Sequence, residues 1–281
     1  MVLTKSLLLR ISFMKWKIHR MKCFSTEISK FCDNIEWTNT TLEEGDERMF
    51  ELDHVVYFTK KTPTEIAREV TVEGIHPVEG GQHLQWGTYN ALLYTKNSYI
   101  EYLSVEEEEI TKNSTHPLTR QLLNDLQFRE GFGSVCLRSD NLEEQNRYFQ
   151  KLGYRTSGLI ESERKTKNGE IRKWKMLFIE HKIDKKLPYP FFIQWDETED
   201  LRFESLRKDG TLTKANEELT IQKCIFHVQD VNRKMTHWSR LLSLPIKGNQ
   251  LKLGNTVFEF KESKDSVERL QFIEIAKDYE A

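Results

Sequence analysis

Three segments of the chain share one grammar: an apolar strand, a short polar junction, then an amphipathic helix. This recurrence limits the fold more than any other feature, because a repeated unit must pair with its copies to bury its apolar face. The first segment is "ELDHVVYFTKKTPTEIAREV". Its strand runs from Leu52 to Thr59, and Thr62, Pro63 and Glu65 form a helix start with a capping hydroxyl, Pro at the first helical position and Glu at the third. The second is "GFGSVCLRSDNLEEQNRYFQKLGY", in which Asp140 is expected to cap and Gly153 to end the helix. The third is "IQKCIFHVQDVNRKMTHWSRLLSLP", with Asp230 as the cap, Trp238, Leu241 and Leu242 near one stripe, and Pro245 as the stop.

Strand-like runs follow each helix. They fall at 82–95 and 98–105 in the first module, and at about 154–164, 170–180 and 189–196 in the second, with a turn at "KNGE". In the third they fall at about 249–252, 256–261 and 269–276. The order is β-α-β-β-β each time. The expected fold class is α+β: tandem modules forming a curved, cup-like sheet with flanking helices. Module one with its linker spans 49–128, module two with its linker 129–217, and module three 218–281. The linker "SVEEEEITKNSTHPLTRQLLNDLQFREG" ends in a short helix, and "DETEDLRFESLRKDGTLTKANEE" reads as a surface loop. Two modules close one cup and the third is left over. It must cover its apolar face on that cup or on a second chain, so a homodimer is expected.

Residues 1–48 read differently. Up to Ser25 they carry six Lys or Arg, from Lys5 to Lys22, and no acid. Three readings stand: a transit peptide, a natural extension, or sequence upstream of a start at Met49. The last draws on "EEGDERMF", since Glu-Gly-Asp can be encoded with a ribosome-binding sequence about eight bases before Met49.

Composition excludes several partner classes. Net charge is −2 with 31% charged residues, so no basic excess points to nucleic acid. No apolar run approaches the roughly 18 residues of a membrane span. Cys23, Cys32, Cys136 and Cys224 are widely spaced and follow no zinc pattern, which fits reduced thiols in the cytoplasm.

The candidate site lies in "GGQHLQWGTYNALLYTKNSYIEYL". His83, Trp86, Thr88 and Asn90 cluster there, and Glu101 follows as a lone acid in an apolar strand. Alternation puts Tyr99, Glu101 and Leu103 on one face, where an unpaired carboxylate is costly. Gly80, Gly81 and Gly87 are turn or bulge glycines, since no helix follows them to make a phosphate site. Trp174, Phe178, Phe191, Phe192 and Trp195 read as core, with one or two lining the cup.

The ordered set "LDHVVYF", "HPVEGGQHLQWGTYNALL", "YIEYL" and "PFFIQWD" resembles the glyoxalase-like domain family of the vicinal oxygen chelate superfamily, which includes glyoxalases, bleomycin resistance proteins and extradiol dioxygenases. The match covers residues 50 to about 196 well and module three more weakly. The resemblance implies a small-molecule ligand and, in many members, one divalent metal (zinc, nickel, manganese or iron) held by the first and last strands of paired modules. Carried onto this chain, those positions are His54 and Glu101 in module one, Gly133 and Gln194 in module two, and Lys223 and Glu274 in module three. The set is incomplete at Gly133. Three functions remain open: a lyase, isomerase or dioxygenase using Glu101 and His54, with His83, Trp86, Thr88, Asn90 and Gln194 around the substrate; a non-catalytic small-molecule binder; or an assembly subunit that uses module three.

Overall fold

The computed structural model of the chain describes residues 7–11, 50–70, 75–165 and 171–277. Most of the 1–48 extension and the turn expected at 167–170 therefore lie outside the described residues. A short strand β1 (Leu7–Ile11) precedes the modules. Module one is β2 (Glu51–Phe58), α1 (Pro63–Glu69), β3 (Val78–His83), β4 (Thr88–Tyr94) and β5 (Tyr99–Val105). Thr62 and Glu65 form the expected capping box at α1.

The first linker folds as α2 (Glu108–Asn113) and α3 (Pro117–Asp125). Module two is β6 (Gly131–Arg138), α4 (Leu142–Lys151), β7 (Thr156–Lys165), β8 (Ile171–Ile179) and β9 (Phe191–Trp195). The cap of α4 is Asn141 rather than Asp140: its side chain accepts from the Glu144 backbone N–H.

The second linker is not a loop. It forms α5 (Glu199–Lys208) and α6 (Lys214–Glu217). Phe203, Leu206 and Leu212 pack against Leu92, Tyr94 and Tyr99 of module one. Three apolar residues scattered among so many charges carry too little periodic signal to mark a helix, but burial against an existing sheet is enough to order one.

Modules one and two build one eight-stranded sheet in the order β3-β4-β5-β2-β6-β9-β8-β7. In each module the last strand lies parallel to the first, and the modules meet where β2 runs antiparallel to β6. Both faces of the central strands are buried. Val55, Leu137 and Phe192 face the helices, whereas Val56, Cys136 and Ile193 face the concave side with Leu118 and Leu122 of α3.

Module three starts with β10 (Leu219–Val228) and α7 (Val231–Leu242), which Asp230 caps as expected. It continues with β11 (Ile246–Lys247), β12 (Gln250–Leu253), β13 (Thr256–Glu262) and β14 (Arg269–Lys277). Its sheet has the order β1-β14-β10-β13-β12-β11. The strand parallel to β10 is β13, while β14 runs antiparallel to it. So β13, not β14, is this module's last strand, and β14 takes the place that β6 holds beside β2.

Bulges decide which residues are equivalent. β2 carries one at Asp53, β6 one at Gly133 and β10 one at Gln222. Each adds a residue to one strand of the pair, and a shift of one residue exchanges the two faces. Aligning the bulges makes Ser134 and Lys223 the counterparts of His54. Glu101 faces Val56 across the ladder, so its counterparts are Phe191, opposite Cys136, and Glu259, opposite Ile225. Gly133, Gln194 and Glu274 do not occupy the positions expected for them. Glu259 instead accepts from Lys223 at 2.9 Å and pairs with Lys261 at 2.8 Å.

Candidate functional site

The concave side of the eight-stranded sheet holds a half-open cavity of about 50 Å³. That is room for a few waters or a small organic group, well below the several hundred Å³ of a drug-sized pocket. Its polar end is built on the three central strands of module one. Adjacent residues normally point to opposite faces, but the bulge at Asp53 lets Asp53 and His54 act together. Asp53 Oδ1 lies 2.7 Å from His54 Nδ1. Asp53 Oδ2 accepts from Trp195 Nε1 at 2.9 Å and from Arg202 Nη2 at 3.4 Å.

Asp53 is fully buried, which alone would push its carboxyl up. Arg202, His54 and Arg138 outweigh that effect and hold it well below the usual carboxylate range. An ionised carboxylate only accepts hydrogen bonds, so the His54 proton sits on Nδ1 and Nε2 is turned the other way. Nε2 lies 3.5 Å from Glu101 Oε2, too far for a good hydrogen bond. The Tyr99 ring stacks on the imidazole at 4.4 Å and fixes its plane.

Glu101 is buried, and its Oε1 accepts from Asn90 Nδ2 at 2.7 Å. This bond needs Gly80. A Cβ there would fall 2.1 Å from Asn90 Oδ1, so only a bare backbone leaves room for the amide beneath the carboxylate. Gly87, at φ +65°, makes the turn that follows His83, and its carbonyl accepts from the Thr111 hydroxyl, tying α2 to the hairpin.

The structure brings His54, Glu101, His83, Trp86, Thr88 and Asn90 onto one cavity wall. His83 Nδ1 and Thr88 Oγ1 are 3.0 Å apart. Gln194 stands apart: its Oε1 accepts from the Leu142 backbone N–H at the start of α4, and Phe191, Ile193 and Trp195 take the cavity side of β9. Gly133 cannot host a ligand atom, because a Cβ there would fall 1.9 Å from the Phe58 ring.

Sequence reasoning missed Asp53, His116 and Arg202. Asp53 had a signal, an acid inside the apolar run "LDHVVYF", but strict alternation turned it away from the site. His116 and Arg202 come from the linkers, and nothing local ties them to the cup.

His116 precedes α3 and stacks on Trp86 at 4.0 Å. Its Nε2 is buried at the cavity wall without a hydrogen-bond partner, and its Nδ1 is 3.5 Å from Thr119 Oγ1. Burial first, and His83 second, lower its pKa from 6.5 to about 3. Between those values the unfolded chain binds a proton that the folded chain refuses, so stability falls as the pH drops through this window. His116→Gln is therefore expected to remove about 1.4 kcal/mol per pH unit of acid sensitivity between about pH 6 and 4. Urea unfolding of both proteins across that range measures this. Parallel stability curves would contradict it.

The donors fall short of the divalent-metal site that the resemblance implies. Module two offers Ser134 and Phe191 at its two positions, so only His54 Nε2 and Glu101 Oε2 converge, where a catalytic metal normally takes three protein ligands. Among the described residues, Asp53, His54 and Cys136 form the one group of three whose ligand atoms lie within 4.8 Å. Both Asp53 oxygens are already bonded, and burial raises the Cys136 thiol well above its ordinary value, away from the thiolate a metal needs. Cys136 and Cys224 are free and buried. Among the described residues, no helix is long and apolar enough to cross a membrane.

A family model described as "Glyoxalase-like domain" matches residues 52–242. No curated protein matches the chain. Among solved structures, a hypothetical protein from Staphylococcus aureus is 24% identical with a TM-score of 0.68, over 79% of this chain and 89% of its own. It shares the fold. A methylmalonyl-CoA epimerase from Mycobacterium tuberculosis is 14% identical with a TM-score of 0.35, over 54% of this chain and 91% of its own. That superposition is too loose to bear on function.

Proposed function

The chain belongs to the glyoxalase-like domain family, whose model spans residues 52–242, and from this premise we propose that it binds a small organic molecule in the cup and moves a proton on it through Glu101 and His54. The observation that carries this reading is the buried sequence Asp53–His54–Glu101. A carboxylate holds Nδ1 of an imidazole, and Nε2 faces a second carboxylate at the polar end of an apolar cavity. Asp53 sets the tautomer and Glu101 is the general base. His54 Nε2 is the place where a proton taken by Glu101 can be held or returned. Asn90 orients the Glu101 carboxylate, and Tyr99 keeps the imidazole in plane. Lyase and isomerase chemistry starts with such a proton transfer. Dioxygenase chemistry needs a redox metal, which two donors support poorly.

The second reading is a binder without catalysis. It is favoured by module two, whose side of the cavity is Trp174, Met176, Phe191, Ile193 and Trp195, with no polar group placed for chemistry apart from the Trp195 N–H already bound to Asp53.

The two readings separate in D₂O. Small carbon acids with neighbouring oxygens, such as hydroxyketones and β-dicarbonyl compounds, are screened by thermal shift. Those that raise the melting temperature are then followed by proton NMR for deuterium entering carbon. Binding with catalysed exchange is expected. Binding without exchange would leave the binder reading, and neither would remove both.

A further inference from the structure

We propose that the group entering this cup carries no negative charge, and that the cup prefers a small organic cation to a neutral group of the same shape. The inference rests on the ligand site proposed above and names the chemical class it takes. Three observations lead to it.

The first is charge. The cavity lining contains one carboxylate, Glu101, and no Lys or Arg. The guanidinium of Arg202 does not line the cavity. It bonds Asp53 and lies over the Trp195 ring at 4.5 Å. Module three shows the alternative: its counterpart carboxylate, Glu259, is neutralised by Lys223 and Lys261. No lysine stands at either place in module one, where His54 and Leu103 occupy the matching positions. An anion brought into the cup would meet Glu101 in a small, mostly apolar space with no lysine or arginine on its lining to offset the carboxylate.

The second is aromatic surface. Trp86, Tyr99, Trp174, Phe191 and Trp195 line a space of about 50 Å³. Aromatic faces around a carboxylate attract an ammonium group through their quadrupoles, and a desolvated site strengthens the effect.

The third is His116. Its Nε2 is buried at the cavity wall with no partner, on a ring fixed between Trp86 and Phe178. A buried polar atom left without a partner is costly, so it marks where a polar atom of the ligand belongs. Held neutral, His116 adds no positive charge that would welcome an anion.

Three probes of nearly equal shape test this: choline, 3,3-dimethylbutan-1-ol and 3,3-dimethylbutanoate. Each is titrated into the wild-type chain and into Glu101→Gln, with binding read by calorimetry and located by the indole N–H signals of Trp86 and Trp174. Choline is expected to bind about tenfold more tightly than the alcohol, and the carboxylate more weakly than the alcohol. Glu101→Gln is expected to bring the choline-to-alcohol ratio close to one while changing alcohol affinity by no more than about threefold. The proposal is overturned if the carboxylate binds as tightly as the alcohol, if Glu101→Gln keeps the preference for choline, or if none of the three binds. Its failure is distinct from failure of the proton-transfer reading. An anionic carbon acid that binds and exchanges would remove the ligand class alone. A cation preference without exchange in any compound would remove the base role alone.

Discussion

Arg269→Ala is expected to lower the free energy of unfolding by about 3–5 kcal/mol, a large share of the stability of an ordinary domain. The guanidinium is fully buried. Nε and Nη2 bond the two oxygens of Asp125 at 2.8 and 2.7 Å, and the remaining donors bond the backbone carbonyls of Asp184, Lys186 and Glu268. Truncation leaves the buried Asp125 carboxylate with the Gln121 and Asn124 amides as donors and the charge of Arg129 nearby, and strips three carbonyls of this partner. The cost comes from what is left behind more than from the worth of the pair. The double change Arg269→Met with Asp125→Leu should therefore recover much of the loss. Arg269→Lys should not, since an ammonium cannot reproduce the fork. Urea unfolding of the three variants measures this. A loss below about 1 kcal/mol for Arg269→Ala would contradict the account. The pair has a consequence for the site as well. Asp125 ends α3, the helix that begins beside His116 and lays Leu118 and Leu122 over the concave face, so this bridge ties the cover of the cup to module three.

The modules were legible because capping residues and period-two alternation are local. Thr62, Glu65 and Asp230 announce their helices, and alternation around Glu101 puts it on the concave face beside Tyr99 and Leu103. Register was not legible. A bulge leaves no reliable mark in composition, yet those at Asp53, Gly133 and Gln222 shift each counting argument by one place and so exchange faces. That is why Phe191 rather than Gln194 faces Glu101's side of the cup. Glu274 misses the position for a further reason: strand order depends on which strand pairs parallel with β10, a long-range fact. Long-range burial also explains the second linker, where Arg202 is drawn in to neutralise Asp53 and Phe203 to cover Tyr94 and Tyr99.

Glu101→Gln is expected to lower the rate of catalysed proton exchange about 10²–10⁴-fold, the usual contribution of a positioned general base. The substitution is close to isosteric. A glutamine carbonyl can accept the Asn90 amide as the carboxylate does, and Asp53 and His54 keep their contacts, so the fold and the cavity should persist. What disappears is the lone pair that takes the proton. Asp53→Asn is a poorer probe, because it would also leave Arg202 buried beside a neutral amide. The decisive measurement is the deuterium exchange rate of a bound carbon acid with wild-type protein and with Glu101→Gln, each shown by calorimetry to bind the ligand. Exchange by the wild type that falls at least about 100-fold in the variant, with binding kept within about tenfold, is the predicted result. Exchange at equal rates in the two proteins would contradict it.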